Sequence, residues 1–170
     1  ESFNRIVTNE KIGVVIMEVK RDMEPDLKFL KYIRDYTKKK RIVLIFDECT
    51  SGFRETYGGI HLKYKIIPDI AVFGKALGNG FAINAIIGKK KIMNYAKKTF
   101  ISSTFWTEGV GTAAALATLQ TMKKIQSYEY VNKTGLYIKK NWQNISNSNS
   151  KKQQQYYWQI FISQEIYSNT

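Results

Sequence analysis

The distribution of apolar and polar residues predicts two parallel strands joined by a helix. Residues 12–18 (IGVVIME) and 42–46 (IVLIF) are near-continuous apolar runs, the pattern of strands buried on both faces, and each run ends at or next to a carboxylate. Between the runs, Pro25 and Asp26 open a helical pattern that ends in three lysines. Its apolar face carries Leu27, Leu30, Ile33 and Tyr36. A crossover of this length implies that the two strands are parallel.

A second pair of strands is predicted after a glycine-containing loop (TSGFRETYGGIHLKY). Pro68 and Asp69 introduce the apolar run 70–73, and Lys75 comes just beyond it. Gly78 and Gly80 then break the chain before a fourth apolar run at 82–87. Because the interval between these runs is too short for a helical crossover, we expect the fourth strand to be antiparallel to the third. The fold class predicted is α/β, with a mostly parallel sheet and one antiparallel strand.

Beyond the strands, the sequence predicts two helices and a tail. The Lys-rich segment 89–98 is expected to be helical, and 109–125 has the small residues and the absence of proline typical of a closely packed helix. From Ser146 the composition changes to Asn, Ser, Lys and Gln, which cannot bury enough apolar surface to order the chain. The segment YYWQIFISQEIY, which is mostly apolar and aromatic, has no partner that the sequence identifies.

Composition fits a single globular unit with a basic surface. The chain has 170 residues, 44% of them apolar, which is enough for one core. The net charge of +13 raises nucleic acid or an anionic membrane as partners. However, the charge is mostly diffuse. No acidic residue falls between Glu129 and Glu165 while lysines do, so much of the excess belongs to the tail and the surface. A basic nucleic-acid-binding module therefore stays a minor alternative.

Other classes of protein are disfavoured by what the sequence lacks. No run reaches the roughly 18 apolar residues of a membrane span, and no signal peptide opens the chain, so a cytoplasmic location is expected. The single cysteine, Cys49, cannot form an internal disulfide, and no cluster of Cys and His indicates a metal site. The chain starts at Glu1 and reaches a strand within a dozen residues, which suggests a fragment of a longer protein.

Two strands end in groups that could act together. Asp47 follows the second strand directly and Lys75 follows the third, and ligands of parallel α/β sheets lie outside the carboxyl ends of the strands. A carboxylate and a primary amine could thus share one site. Taken separately, a lysine after a strand is usually a solvated charge, and an aspartate at a strand end is often a helix cap.

Four segments carry a resemblance to a known family. They are VVIMEVKRDMEP, LIFDECTSGFR, PDIAVFGKALGNGFAINAIIGKK and ISSTFWTEGVGTAAALATL. In this order and spacing they resemble the class III aminotransferases, which are pyridoxal 5'-phosphate (PLP) enzymes of fold type I, and most closely the branch that looks like glutamate-1-semialdehyde aminomutase. The resemblance implies that 1–126 is part of the PLP-binding large domain, that 127–145 begins a C-terminal small-domain region, and that 146–170 is an uncertain tail.

The resemblance implies transfer of an amino group between an amino donor and a carbonyl substrate, by a transaminase or an aminomutase. Lys75 would form the Schiff base with PLP, a role that needs a primary amine. Asp47 would keep the pyridine nitrogen protonated, so that the ring can act as an electron sink. Thr104, with Ser103 as a helper, would bind the cofactor phosphate of a neighbouring subunit, which implies a homodimer with shared active sites.

The remaining polar residues of the four segments are given lesser roles. Cys49 stands where relatives usually have valine against the cofactor face, and Glu48 and Glu18 are expected to organise the loop beneath the ring. We expect His61 to be a surface or loop-packing residue and Arg54 to be solvent-exposed.

The sequence also departs from the family. Glu18 is followed by valine rather than the family's proline, and the N-terminal half, with its phosphate-binding turn and its stacking aromatic residue, is absent. We therefore expect weak cofactor binding by this chain alone. Three alternatives stay open: an inactive truncated remnant, a PLP-dependent racemase or decarboxylase on the same scaffold, and the basic binding module.

Overall fold

The computed structural model describes residues 2–9, 11–21, 23–105 and 107–148. These residues contain one four-stranded sheet in the order β1 (Val14–Glu18), β2 (Val43–Asp47), β3 (Ile70–Phe73) and β4 (Ala85–Gly88). The helices are α1 (Ser2–Asn9), α2 (Leu27–Lys40), α3 (His61–Tyr64), α4 (Lys90–Met93), α5 (Gly109–Ile125) and α6 (Ser127–Ser148). Short 3-10 turns cover Lys75–Leu77 and Ala96–Lys98.

The strand directions confirm the prediction of a mostly parallel sheet with one antiparallel strand. β1 and β2 are parallel, as are β2 and β3, whereas β4 is antiparallel to β3. The crossover helix α2 starts where the sequence indicated, because Asp26 caps it by accepting a hydrogen bond from the backbone N–H of Lys28 at 2.8 Å. β4 begins three residues later than predicted and ends at Gly88.

The core lies on one face of the sheet. Leu30 and Ile33 of α2 are buried against Leu44 and Phe46, the two residues of β2 that point to this face. A second cluster on the same face joins β3 to the turn after it and to α5 through Ala71, Phe73, Leu77 and Ala115. The two clusters share a face because Phe46 and Ala71 lie opposite each other in the register.

The prediction that the first strand is buried on both faces is wrong for the described residues. Val14 is 51% exposed and Ile16 is 62% exposed. Their register partners in β2 point to the same face, which is opposite to the core. β1 is at the edge of the sheet, and its apolar residues on that face have no cover among the described residues. Asp47, in register with Glu18, also points to this face.

Four of the helices differ from prediction. Segment 89–98 is not one helix, because α4 ends at Met93 and a separate 3-10 turn follows. α1, α6 and the short α3 within the glycine-containing loop were not predicted. α6 continues to Ser148, three residues into the predicted tail; the rest of that tail, 149–170, lies outside the described residues. The predicted helix 109–125 is confirmed as α5.

Candidate active site

Asp47 and Lys75 both lie at the carboxyl edge of the sheet. Asp47 is the last residue of β2 and is opposite Val72 of β3, and Lys75 follows two residues after the end of β3. Since β2 and β3 are parallel and adjacent, the structure brings the carboxylate and the amine to the same edge. Asp47 is half-buried, and its Oδ1 accepts a hydrogen bond from the backbone N–H of Cys49 at 3.0 Å.

The backbone of Lys75 has an uncommon conformation. Its φ is 43°, in the left-handed region that a residue with a Cβ adopts at a cost of about 1–2 kcal/mol. Backbone hydrogen bonds close the turn around it: Gly78 and Asn79 donate to the carbonyl of Lys75, and Leu77 donates to that of Gly74. Such conformations persist where the surrounding structure imposes them, and they concentrate at functional sites.

The side chain of Lys75 is exposed and makes one hydrogen bond in the described part of the chain. Its Nζ donates to Oγ1 of Thr50 at 2.8 Å. Sequence reasoning missed Thr50, although it lies only three residues beyond Asp47 in the loop that follows β2. The contact joins that loop to the turn after β3, so that a carboxylate, a hydroxyl and an amine converge at one edge of the sheet.

Cys49 lies between these groups as a packing residue. Burial raises the pKa of its thiol, and a hydrogen bond to Asp47 raises that pKa further, while the positive charge of Lys75 opposes the change. A thiol with a raised pKa is a poor nucleophile. A Cβ added at Gly74 would lie 3.3 Å from Sγ of Cys49 and would clash with Oδ1 of Asn84. A side chain at Gly74 would therefore displace Asn84, a second neighbour that sequence reasoning missed.

Glu48 organises the loop between β2 and α3. Its side chain is completely buried. Oε2 accepts hydrogen bonds from the Ser51 hydroxyl at 2.6 Å and from the Ile60 N–H at 2.9 Å. Oε1 accepts from the His61 N–H at 3.0 Å and lies 2.8 Å from Nδ1 of the same histidine, which donates because a carboxylate only accepts. His61 is buried beside Glu48, which agrees with the expected loop-packing role and not with a surface position.

These contacts also decide the charge of Glu48. Burial alone would raise the pKa of its carboxyl, but the hydrogen bonds from His61, Ser51 and Ile60 outweigh burial and leave the pKa lowered. Glu48 is therefore ionised at neutral pH. Because all the hydrogen bonds of its side chain are with residues 51–61, it holds the segment that follows Thr50 rather than facing the site itself.

Glu18 is less firmly held. It ends β1 in register with Asp47, and its side chain is one-third exposed. Its Oε2 lies 3.8 Å from Nε of Arg21 but makes no hydrogen bond within the described ranges. Val19, which stands in place of the family's proline, is buried in the core.

The other candidates lie away from this group or have a different environment than expected. Ser103 and Thr104 are exposed in the segment before α5, and no hydrogen bond of the described structure joins them to Asp47 or Lys75. Arg54 is half-buried rather than solvent-exposed, because its Nε donates to the carbonyl of Thr50 at 2.5 Å. It therefore supports the loop that carries Thr50.

Neither metal chemistry nor a membrane span is indicated by the described residues. They contain no group of three or more His, Cys, Asp or Glu residues arranged to hold a metal ion. None of the helices in the described ranges has the length and apolar character that crossing a membrane demands. What the site offers is an exposed primary amine, which can react covalently with a carbonyl group, beside a carboxylate that can hold a proton.

Comparison with known proteins gives consistent matches. The family model described as Aminotransferase class-III matches residues 10–156. The chain is 36% identical, over 155 residues, to a glutamate-1-semialdehyde 2,1-aminomutase of Sulfurisphaera tokodaii, with 88% of this chain and 36% of that protein covered. It is 39% identical, over 97 residues, to a 3-aminobutyryl-CoA aminotransferase of Cloacimonas acidaminovorans, with 56% and 23% covered.

A solved structure with the same fold is that of an S-selective transaminase from Arthrobacter sp. It superposes with a TM-score of 0.76 at 26% sequence identity, over 86% of this chain and 34% of the transaminase. The aminomutase and the transaminase each match most of this chain, and the chain spans about a third of the length of each of them.

Proposed function

Because the chain belongs to the class III aminotransferases, a family that uses PLP, we propose that it forms part of the active site of an enzyme that transfers an amino group between an amino donor and a carbonyl compound. The observation that carries the proposal is the placement of Asp47 and Lys75 at the carboxyl ends of adjacent parallel strands. The relatives include both aminomutases and aminotransferases, and the two activities need the same residues in these roles.

The residues present fit this cofactor. The amine of Lys75 is exposed and forms no ion pair within the described residues, so it is accessible to an aldehyde. The carboxylate of Asp47 contacts Cys49 and forms no ion pair with a described cation, so it can receive a protonated ring nitrogen. When bound, PLP supplies an electron sink that stabilises a carbanion at the substrate carbon bearing the amino group.

The roles of the two residues follow from their chemistry. Lys75 would be the covalent attachment point for PLP, and its Nζ would accept and return the proton of the substrate carbon, because a lysine amine can lose its own proton whereas an arginine cannot. Asp47 holds a proton at the ring nitrogen, since a nearby negative charge favours the protonated form of a base. Glu48 holds the loop between them in place through its buried hydrogen bonds.

A homodimer with shared sites is part of the proposal. Thr104, helped by Ser103, would bind the cofactor phosphate of the partner subunit. The exposed surroundings of Thr104 support this role, because Phe100 is 96% exposed and Phe105 is 56% exposed in the same segment. Apolar side chains of that size are more typical of an interface than of a solvated loop.

The division of the chain and its location are also proposals. A boundary between large and small domains near residue 126 is supported by Gln126, which separates α5 from α6 with a left-handed φ of 50°. A cytoplasmic location is supported by the single unpaired cysteine, which fits a reducing compartment.

The test is to locate the lysine to which PLP becomes attached. The complete open reading frame that encodes this chain would be expressed, incubated with PLP and reduced with borohydride, and the modified peptide identified by mass spectrometry. We expect modification at Lys75, its loss in Lys75→Ala, and no change in Lys91→Ala, which removes an exposed lysine of α4. The proposal would be refuted if modification were spread over many lysines and if its extent in Lys75→Ala equalled that in the wild type.

A further inference from the structure

We propose that Thr50 is a positioning residue for the amine of Lys75. The inference rests on the proposed function and adds to it a group that acts through the lysine. Oγ1 of Thr50 accepts a hydrogen bond from Nζ of Lys75 at 2.8 Å. The two residues are 25 positions apart in sequence and belong to the loops that follow neighbouring strands. The contact therefore fixes the amine relative to the strand end that carries Asp47.

The lysine side chain needs such a contact. A lysine side chain has four rotatable bonds, and restricting them costs more conformational entropy than for most residues. Lys75 is exposed and forms no ion pair in the described ranges, so the hydrogen bond to Thr50 is the polar contact that restricts Nζ. The left-handed backbone conformation of Lys75 sets the direction in which its side chain leaves the backbone, and the hydrogen bond to Thr50 sets the position of Nζ.

A threonine hydroxyl suits this task better than a charged group. As an acceptor it takes one N–H of the amine and leaves the nitrogen lone pair of the neutral form available to attack a carbonyl carbon. A carboxylate at the same place would instead favour the protonated amine, which cannot attack. Thr50 is itself held, because its β-branched side chain has few rotamers and its carbonyl accepts a hydrogen bond from Nε of Arg54.

The variants that test the inference separate the hydroxyl of Thr50 from the rest of its side chain. Thr50→Val keeps the shape and removes the hydroxyl, whereas Thr50→Ser keeps it. Thr56→Val is the matched control, because the Thr56 hydroxyl lies in the same loop but donates to the backbone carbonyls of Gly58 and Gly59. Thr50→Ala removes the same hydroxyl and replaces Thr50→Val in the comparison if circular dichroism shows the valine variant to be unfolded.

Two measurements follow the amine rather than turnover. In cofactor-free protein, a short pulse of formaldehyde with cyanoborohydride labels lysines, and mass spectrometry gives the labelling of Lys75 relative to the exposed Lys91. In a second experiment, PLP is added and the rate of its attachment to Lys75 is followed by borohydride trapping. Both use the full open reading frame.

We expect attachment in Thr50→Val to be about two- to tenfold slower than in the wild type, the range expected for loss of one hydrogen bond. The labelling of Lys75 relative to that of Lys91 should also differ between Thr50→Val and the wild type. Thr50→Ser should restore both values, and Thr56→Val should leave both unchanged. Two results would overturn the role of Thr50: an attachment rate in Thr50→Val equal to that of the wild type, or a rate in Thr56→Val that falls as much as in Thr50→Val. In either case, attachment of PLP at Lys75 would still support the proposed function. Absence of attachment at Lys75 in the wild type would instead refute the proposed function, and the positioning role with it.

Discussion

Replacing Glu48 by glutamine should destabilise the loop that carries the candidate site. The carboxylate is completely buried and receives four hydrogen bonds, two on each oxygen. If the glutamine oxygen takes the place of Oε1, the bonds from His61 are kept. The amide nitrogen then faces the Ser51 hydroxyl, which can rotate to accept, and the Ile60 N–H, which cannot. One buried backbone donor is therefore left without an acceptor.

The expected loss follows from these contacts. An unsatisfied buried donor costs about 1–3 kcal/mol, and replacing a charged acceptor by a neutral one weakens the remaining bonds by about 1 kcal/mol. We therefore expect the free energy of unfolding to fall by about 2–4 kcal/mol, measured by urea denaturation at pH 7. Glu24→Gln is the control, because Glu24 is 54% exposed and its ion pair with Lys20 is expected to contribute less than about 1 kcal/mol.

The pH dependence of the difference is a second check. The pKa of Glu48 is lowered below its ordinary value of 4.5, so its contribution to stability is fully present above that value. The contribution is lost as the pH falls through the folded-state pKa. The gap between wild type and Glu48→Gln should therefore narrow below about pH 4.5. A gap of the same size from pH 7 to pH 3, or no gap at pH 7, would show that the ionised carboxylate does not hold the loop.

Three further substitutions test the fold and the site. Phe46→Ala should lower the free energy of unfolding by about 3–5 kcal/mol because Phe46 is completely buried, whereas Lys91→Ala, at an exposed position of α4, should change it by less than about 0.5 kcal/mol. Asp69→Asn should lower the free energy of unfolding by about 2–3 kcal/mol in urea denaturation, since this buried carboxylate accepts from a backbone N–H and pairs with two cations; a loss as small as that of Lys91→Ala would refute this. Gly74→Ala should slow PLP attachment to the protein because its Cβ would clash with the side chain of Asn84. Gly13→Ala, which has no atom within 4 Å of its Cβ, should leave the attachment rate unchanged, and equal rates in the two variants would contradict the crowding seen at Gly74.

The sheet could be predicted from local pattern because strand direction depends on the length of chain between strands. The 14-residue helix between β1 and β2 fits a crossover, and the short interval before β4 does not. Burial of β1 could not be predicted in the same way. An apolar run does not show whether both faces of its strand are covered, and Val14 and Ile16 are exposed because no described element covers the face to which they point.

The helices that were missed have weaker local signals. α6 carries Val131, Ile138, Trp142 and Ile145 at helical spacing, a period that could have predicted it, although Gly135 interrupts the pattern. The short α3 is different. Its four residues are too few to show a period, and it lies where Glu48 accepts hydrogen bonds from Ile60 and His61, at positions that are 12 and 13 residues away.

By itself, the sequence determined which strand ends carry Asp47 and Lys75, because that depends only on where each apolar run stops and on the parallel direction of the strands. Only the tertiary structure decided what surrounds them. The hydrogen bond from Lys75 to Thr50, the left-handed backbone of Lys75 and the close approach of Asn84 to Gly74 all join segments distant in sequence or depend on how a turn closes. Such contacts depend on distances between atoms in space, which the spacing of residues along the chain does not contain.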